Sequence, residues 1–176
     1  MIKGIFAGVA VTVAAGLLGA YVFVSMGWMP ANADAPPPAI EKWAARKSLH
    51  ATIAREATTA PNPVAVSDAN LVAGVKLYAA NCAVCHGAAD GAASNIAKGL
   101  YQRAPQLGKH GVTDDEEGET YWKIYHGIRM TGMPSYRATL SETQMWQITL
   151  FLKHMDELTP GAKKAWLALP SQANGA

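Results

Sequence analysis

The feature that most constrains folding is an uncharged segment that runs from Gly4 to Met29, GIFAGVAVTVAAGLLGAYVFVSMGWM. As a helix, a segment of this length can cross the roughly 30 Å hydrocarbon core of a bilayer. A cleaved signal peptide is the alternative, since residues 31–33 (ANA) have the small-x-small pattern of a cleavage site. The apolar part of a signal peptide is only about 7–15 residues long, however. The sequence therefore predicts an uncleaved, single-pass transmembrane helix.

The charges beside this segment predict its orientation. Lys3 is the only charged residue before it, and basic residues tend to stay on the cytoplasmic side of a membrane. We therefore expect a cytoplasmic N-terminus in a bacterial inner membrane, with the residues after Met29 in the periplasm.

Composition argues against a nucleic-acid-binding protein. The 176 residues carry a formal net charge of +2, only 16% of them are charged, and no basic stripe stands out. A chain of this length has room for one domain with its own core beside the membrane helix. We expect no nucleic-acid partner.

Helical periodicity predicts an all-α protein with little or no sheet. Apolar residues recur at helical spacing after the membrane segment, and few segments alternate with period two. The predicted helices cover residues 40–57, 68–80, 114–126 and 142–155, with a short one expected in the tail. The expected organisation is a transmembrane anchor at 1–29, a proline-containing connector with a short helix at 30–66, a helical domain at 67–159 and a tail at 160–176.

Capping residues and apolar faces refine these helices. Asp68 is a candidate N-cap, whereas Thr113 with Glu116 and Ser141 with Gln144 fit capping boxes. Apolar residues expected to pack against neighbouring elements are Ile40, Trp43, Ala44, Ala51 and Ala54 in the connector helix, Met145, Ile148 and Leu152 in the last long helix, and Trp166 and Leu167 in the tail.

The only two cysteines lie in the segment NCAVCHG, which three chemistries could use. A structural zinc site needs four ligands, and no second ligand pair follows. A catalytic disulfide needs the motif beside strands, and its surroundings are helical. Haem attachment needs two thiols, here Cys82 and Cys85, and an adjacent iron ligand, here His86. The motif therefore favours haem, for which Met130 and Met133 are candidate ligands on the opposite side.

Residues from about 68 to 158 resemble a class I c-type cytochrome. The similarity is carried by GVKLYAANCAVCHG, APQL, GMPSY and the ITLFL of the last long helix. It implies a single haem c, attached covalently through Cys82 and Cys85. It also implies that His86 and Met133 are the axial ligands of the iron, with Met133 preferred to Met130.

The resemblance implies two supporting contacts as well. Gly74 would let the first helix of the domain cross the last one closely, with Phe151 at the contact, and the carbonyl of Pro105 would accept the second ring N–H of His86. Composition offers further candidates for contact with the haem propionates, namely Tyr101, Arg103, Trp122 and Arg129.

An iron with protein ligands on both faces leaves no open position, so this resemblance implies a one-electron carrier rather than an enzyme. We expect the cytochrome c subunit of a membrane respiratory oxidoreductase complex, whose partners are the other membrane subunits and redox donor and acceptor proteins. Small residues at every fourth position favour a fixed subunit, since they would let another helix approach: Gly4, Gly8, Thr12, Gly16 and Ala20. A tethered shuttle between a quinol-oxidising complex and a terminal oxidase is the alternative. A ligand-binding haem sensor or peroxidase-like enzyme is a further one.

Overall fold

The structure, a computed structural model, describes residues 2–173. Within that range the secondary structure is entirely helical, as the sequence predicts. The chain divides after Ala35 into two compact units, with α1 in the first unit and the other helices in the second. The helices are α1 (Ile2–Ser25), α2 (Ala39–Glu56), α3 (Asp68–Asn81), α4 (Ala83–His86), α5 (Asn95–Gly99), α6 (Glu117–His126), α7 (Glu142–Lys153) and α8 (Pro160–Leu167).

Helix α1 is the predicted membrane helix. It is exposed along its whole length, and its most apolar window has a mean hydropathy of 2.1. It ends at Ser25, just before Gly27 takes a positive φ of 70°. By length and composition α1 can cross a membrane, which suggests a membrane anchor.

The core of the second unit forms where α3 packs against α7 and α8. The closest approach is at Gly74, where a Cβ atom would collide with the Gln147 carbonyl oxygen and lie 2.8 Å from the Phe151 Cβ. Only glycine allows the two helix backbones to come this close. The crossing of Gly74 with Phe151 that the resemblance implies is therefore present.

Three aromatic rings join these three helices. Tyr78 of α3 lies edge-on to Phe151 of α7 and to Trp166 of α8, with ring centroids 5.4 and 5.5 Å apart. All three side chains are buried, and such edge-to-face pairs add to the stabilisation from area burial. The predicted packing of Trp166 is confirmed. That of Leu167 is wrong, because its side chain points to solvent and is 63% exposed.

The predicted cap of α7 is confirmed, whereas the predicted cap of α3 is wrong. Ser141 and Gln144 form the expected capping box, with both reciprocal hydrogen bonds. At α3 the N-cap is Ser67, whose hydroxyl accepts from Asn70 N, and not Asp68. The Asp68 carboxylate instead accepts hydrogen bonds from Thr159 Oγ1 and from the Ala162 backbone N–H. It therefore caps α8, a helix distant in sequence.

The predicted capping box of Thr113 and Glu116 is wrong. Helix α6 begins at Glu117, and Glu116 makes no side-chain capping bond. The reason is a lysine from the last long helix: Lys153 Nζ donates to the carbonyl oxygens of Thr113 and Asp115, both at 2.9 Å. These bonds hold the acidic segment in a turn, and the helix starts only after it.

Within the second unit, helix α2 packs against α6 through a face other than the predicted one. Ile53 is its buried residue and lies toward α6, whereas Ile40 and Trp43 are exposed. Ala44, Ala51 and Ala54 are exposed as well. The predicted set has correct helical spacing, but it forms the outer face.

Replacement of Asp68 by alanine should lower the free energy of unfolding of the second unit by about 1–2 kcal/mol, because the first turn of α8 loses its cap. Asp114 is exposed and offers a control, since its replacement by alanine should change stability by less than about 0.5 kcal/mol. Both values can be measured by chemical denaturation in mild detergent. Equal effects of the two variants would contradict the capping role.

Candidate functional site

The two cysteines and His86 are arranged by one helical turn. The Cys82 carbonyl oxygen accepts from the backbone N–H groups of Cys85 and His86, at 3.0 and 2.9 Å. Gly87 then leaves the turn with a φ of 77°, a conformation that favours glycine. Its carbonyl oxygen accepts from the buried Tyr78 hydroxyl at 2.8 Å. The aromatic cluster of the core thus fixes the end of the turn.

A loop at residues 104–107 is bonded to this turn at three points. His86 Nδ1 lies 2.9 Å from the Pro105 carbonyl oxygen, which is the bond implied by the resemblance. The Leu107 N–H donates to the His86 carbonyl oxygen at 2.9 Å, and Gln106 Nε2 donates to the Cys85 carbonyl oxygen at 3.0 Å. The imidazole is therefore held through both its ring and its backbone.

The bond to Pro105 also determines the tautomer of His86. A carbonyl oxygen can only accept, so Nδ1 carries the proton and Nε2 of the neutral ring keeps its lone pair. Burial lowers the pKa of His86, and the bond to Pro105 opposes this effect. A neutral imidazole with an unprotonated Nε2 is the form that binds a metal.

The environment of the thiols disfavours the redox alternative. Burial, with a smaller contribution from Cys85, raises the pKa of Cys82 to about 12, and burial raises the pKa of Cys85. Catalytic disulfides depend on a thiol whose pKa is lowered. Between residues 2 and 173, no group of three or more His, Cys, Asp or Glu side chains is placed to hold a metal ion.

Met133 and Met130 lie in different environments. Met133 is partly buried and packs against the core cluster, and its carbonyl oxygen accepts from the Ile128 N–H. Met130 is 82% exposed and has a positive φ of 59°. The loop of Met133 is tied to the cysteine turn, because the Tyr136 hydroxyl donates to the Asn81 carbonyl oxygen at 2.6 Å.

Cys82, Cys85, His86 and Met133 line a single cavity of about 300 Å³. Its other walls are largely aliphatic and come from the loops and from α6 and α7. The aliphatic side chains are Leu100, Leu107, Val112, Ile124, Ile128, Ile148 and Leu152. The cavity thus combines two sulfurs, an imidazole and a thioether with apolar walls, and this donor set fits a porphyrin attached at one edge.

Only two of the five predicted supporting residues line this cavity. Pro105 and Arg103 do, Arg103 as an exposed side chain at the rim. Tyr101 donates instead to Glu41 at 2.7 Å, and Trp122 Nε1 donates to Glu56 at 3.3 Å. Arg129 is exposed and outside the lining. These last three lie outside the cavity lining, and α2 engages two of them, so their contact with the propionates stays a prediction.

Two functional residues were missed by sequence reasoning. Gln106 bonds the Cys85 and Ala104 carbonyl oxygens, and Tyr136 joins the methionine loop to the cysteine turn. Each side chain bonds a backbone oxygen that is distant in sequence, Gln106 that of Cys85 and Tyr136 that of Asn81. No local pattern reports such contacts, although Gln106 and Tyr136 lie within the APQL and GMPSY segments.

Comparison with known proteins identifies the domain. A protein-family model described as cytochrome c oxidase, cbb3-type, subunit III matches residues 69–152. No curated protein and no solved structure matches the chain. The matched residues contain the cysteine turn, the loop bonded to it, Met133 and most of α7. Residues 69–152 are therefore a class I c-type cytochrome domain.

Proposed function

We propose that the chain is a membrane-anchored one-electron carrier with a single haem c, acting as the cytochrome c subunit of a membrane respiratory oxidoreductase complex. Cys82 and Cys85 would hold the porphyrin through thioether bonds, with His86 and Met133 as axial ligands. The observation that carries this proposal is the convergence of these four side chains on one apolar cavity. When bound there, haem c supplies one-electron chemistry at its iron.

The residues of the chain would hold the two ligands rigidly. Pro105 orients His86 from behind, and Tyr78 fixes the end of its turn. Tyr136 restrains the loop of Met133 from the other side of the cavity. A site that keeps its ligands in place in both oxidation states transfers electrons with little reorganisation. The aliphatic walls exclude water, which strengthens the influence of the ligands on the iron.

The packing of the connector supports a fixed subunit over a tethered shuttle. Helix α2 is bonded to the cytochrome domain at both ends, through Glu41 and Glu56. Further on, Asn62 Nδ2 donates to Glu117 at 2.8 Å. Only residues 26–38 then remain between the membrane helix and the docked segment, and thirteen residues span at most about 45 Å. A shuttle would need a longer flexible linker.

The proposed location is the bacterial inner membrane with a cytoplasmic N-terminus and a periplasmic cytochrome domain. Lys3 ahead of α1 supports this orientation through the positive-inside tendency. Covalent attachment of haem to cysteines belongs to an oxidising compartment outside the cytoplasm, and this agrees with a periplasmic cytochrome domain.

Replacement of both cysteines by serine should abolish covalent haem. The wild-type chain, expressed with a cytochrome c maturation system, should carry haem that stays bound on a denaturing gel, and its mass should increase by one haem. The double variant Cys82→Ser, Cys85→Ser should show neither, because the hydroxyls cannot form thioether bonds. Haem staining that persists in the double variant would contradict covalent attachment at this motif.

Membership of a complex can be tested separately. Membranes solubilised in mild detergent would be separated by size, and haem absorbance of this chain would be followed. Elution with a much larger assembly would support the fixed subunit, and the co-eluting proteins would identify the complex. Elution of the haem-containing chain alone would contradict it.

A further inference from the structure

We propose that Thr120 and Lys123 of α6 bind one propionate of the haem, while Arg103 at the rim stays the candidate for the other. The assignment requires a haem in the cavity and therefore rests on the proposed function. Both residues line the cavity. The hydrogen bonds of the cavity wall and the charges around Lys123 support it.

Most polar side chains in the cavity wall already donate to backbone carbonyl oxygens. These side chains are Tyr78, Asn81, Thr131 and Tyr136, with donor–acceptor distances between 2.6 and 2.8 Å. The propionates of a haem are carboxylates, which only accept hydrogen bonds when ionised. They therefore need donors that the fold has left free.

The free donors of the wall lie in two places. Gln102 and Arg103 belong to a loop at the rim, whereas Thr120 and Lys123 are neighbours, three residues apart, on α6. Among residues 2–173 the Thr120 hydroxyl has no hydrogen-bond partner, although the residue is only 7% exposed. A polar group that is withdrawn from water without a partner costs free energy, so an acceptor in the cavity would stabilise this hydroxyl.

Lys123 also has donors to spare. Its Nζ donates to the Asp115 carboxylate at 2.7 Å, whereas the Glu119 carboxylate is 3.9 Å away and too distant for a hydrogen bond. An ammonium group carries three N–H donors, so Asp115 does not use them all. The Lys123 side chain is only 26% exposed, and its charge is therefore less screened by water than that of a surface lysine.

The charges around Asp115 leave a positive surplus at this wall. Lys153 Nζ reaches the same segment from α7 and donates to the carbonyl oxygens of Thr113 and Asp115, both at 2.9 Å. The ammonium groups of Lys123 and Lys153 thus face the single carboxylate of Asp115. The nearby carboxylates of Glu119 and Asp156 lie outside the cavity lining and are exposed to solvent, which weakens their effect. An anionic group is therefore favoured in the cavity beside Lys123.

The test uses the full chain with its covalent haem in mild detergent. Lys123→Met removes the charge and keeps an unbranched side chain, and Thr120→Val removes the hydroxyl and keeps the shape. Lys123→Arg restores a cation. Lys163→Met is the control, because it makes the same change at an exposed position of α8. A redox titration gives the midpoint potential, and the propionate bending bands in resonance Raman spectra report the hydrogen bonds that the carboxylates accept.

We expect Lys123→Met to lower the midpoint potential by on the order of 59 mV, a tenfold change in the equilibrium for one electron. The reason is that an ammonium group at the cavity wall opposes the positive charge gained on oxidation. The same variant should shift a propionate band, and Thr120→Val should shift that band with a smaller change in potential. Lys123→Arg should return both values most of the way to wild type, whereas Lys163→Met should change neither.

Propionate bands that stay unchanged in Lys123→Met and in Thr120→Val would overturn the proposal even if the potential falls, because a charge without contact alters only the potential. An equal band shift in Lys163→Met would overturn it as well. If Lys123→Met carries no haem, the band of Thr120→Val decides alone. Haem that remains bound on a denaturing gel reports the proposed function independently, so a failure of that function is distinguishable from a failure of this assignment.

Discussion

Replacement of Met133 by alanine should lower the reduction potential of the protein on the order of 100 mV or more, within the range of about 0.8 V that axial ligands span. A thioether is a soft ligand that favours the reduced iron and raises the potential. Met133 is the methionine that lines the cavity. Its loss should also open the sixth position, so that carbon monoxide binds the reduced protein. A redox titration followed by visible absorbance measures the first effect, and a carbon monoxide difference spectrum measures the second.

Met130→Ala is the matched control for this experiment. Met130 lies three residues earlier in the same loop, but it is 82% exposed and outside the cavity lining. Its replacement should leave the potential and the carbon monoxide spectrum unchanged. A large shift of the potential in the Met130 variant, together with none in the Met133 variant, would show that Met130 is the iron ligand and would contradict the proposal. Carbon monoxide binding by the wild-type chain would favour the ligand-binding haem sensor instead.

Gly74→Ala should destabilise the cytochrome domain by about 2–3 kcal/mol, a cost typical of overpacking in a well-packed core. The added Cβ would collide with the Gln147 carbonyl oxygen and press on the Phe151 Cβ. A helix backbone cannot yield as a flexible side chain can, so α3 and α7 must separate. The substitution also gains about 1 kcal/mol in helix propensity, so the cost of separating the helices exceeds the net loss by about that amount.

The control for Gly74 is Gly99→Ala, the same change in another helix. Gly99 is the last residue of α5, and a Cβ there would meet nothing within 4 Å. This variant should be neutral or more stable by up to about 1 kcal/mol. Denaturation of the full chain in detergent, followed by near-ultraviolet circular dichroism, compares the two. A stabilised Gly74→Ala protein would show that the helices do not cross closely at this point.

The elements that the sequence predicts well are those governed by local rules. The helices α3 and α7, the capping box of Ser141 and Gln144 and the membrane helix follow from periodicity, caps and continuous apolarity. The motif NCAVCHG also indicates haem attachment, because that chemistry requires two thiols and an adjacent imidazole at this spacing. Each of these features depends on residues close together in the chain.

The elements that the sequence predicts poorly depend on distant partners. Asp68 caps a helix about ninety positions away rather than its own, and Lys153 delays the start of α6. Trp122 and Tyr101 are residue types that often contact haem, yet both donate their hydrogen bonds to glutamates of α2. In the connector helix the spacing of apolar residues is correct, but periodicity does not say which side of a helix packs against protein and which side is exposed.

The cluster of Tyr78, Phe151 and Trp166 bears on the order in which the proposed haem attachment and the closure of the core would occur. Trp166 lies 80 positions after His86, so in the proposed topology the cysteine turn would cross the membrane before the last ring of the cluster. Until that ring arrives, the Tyr78 ring lacks one of its two aromatic neighbours, and the turn that it holds through Gly87 is less firmly fixed. The thiols, which are buried or half-buried in the finished fold, would then be more accessible for the proposed attachment of haem. In the proposed topology, the position of this tryptophan near the C-terminus would therefore let haem attachment precede the final closure of the core.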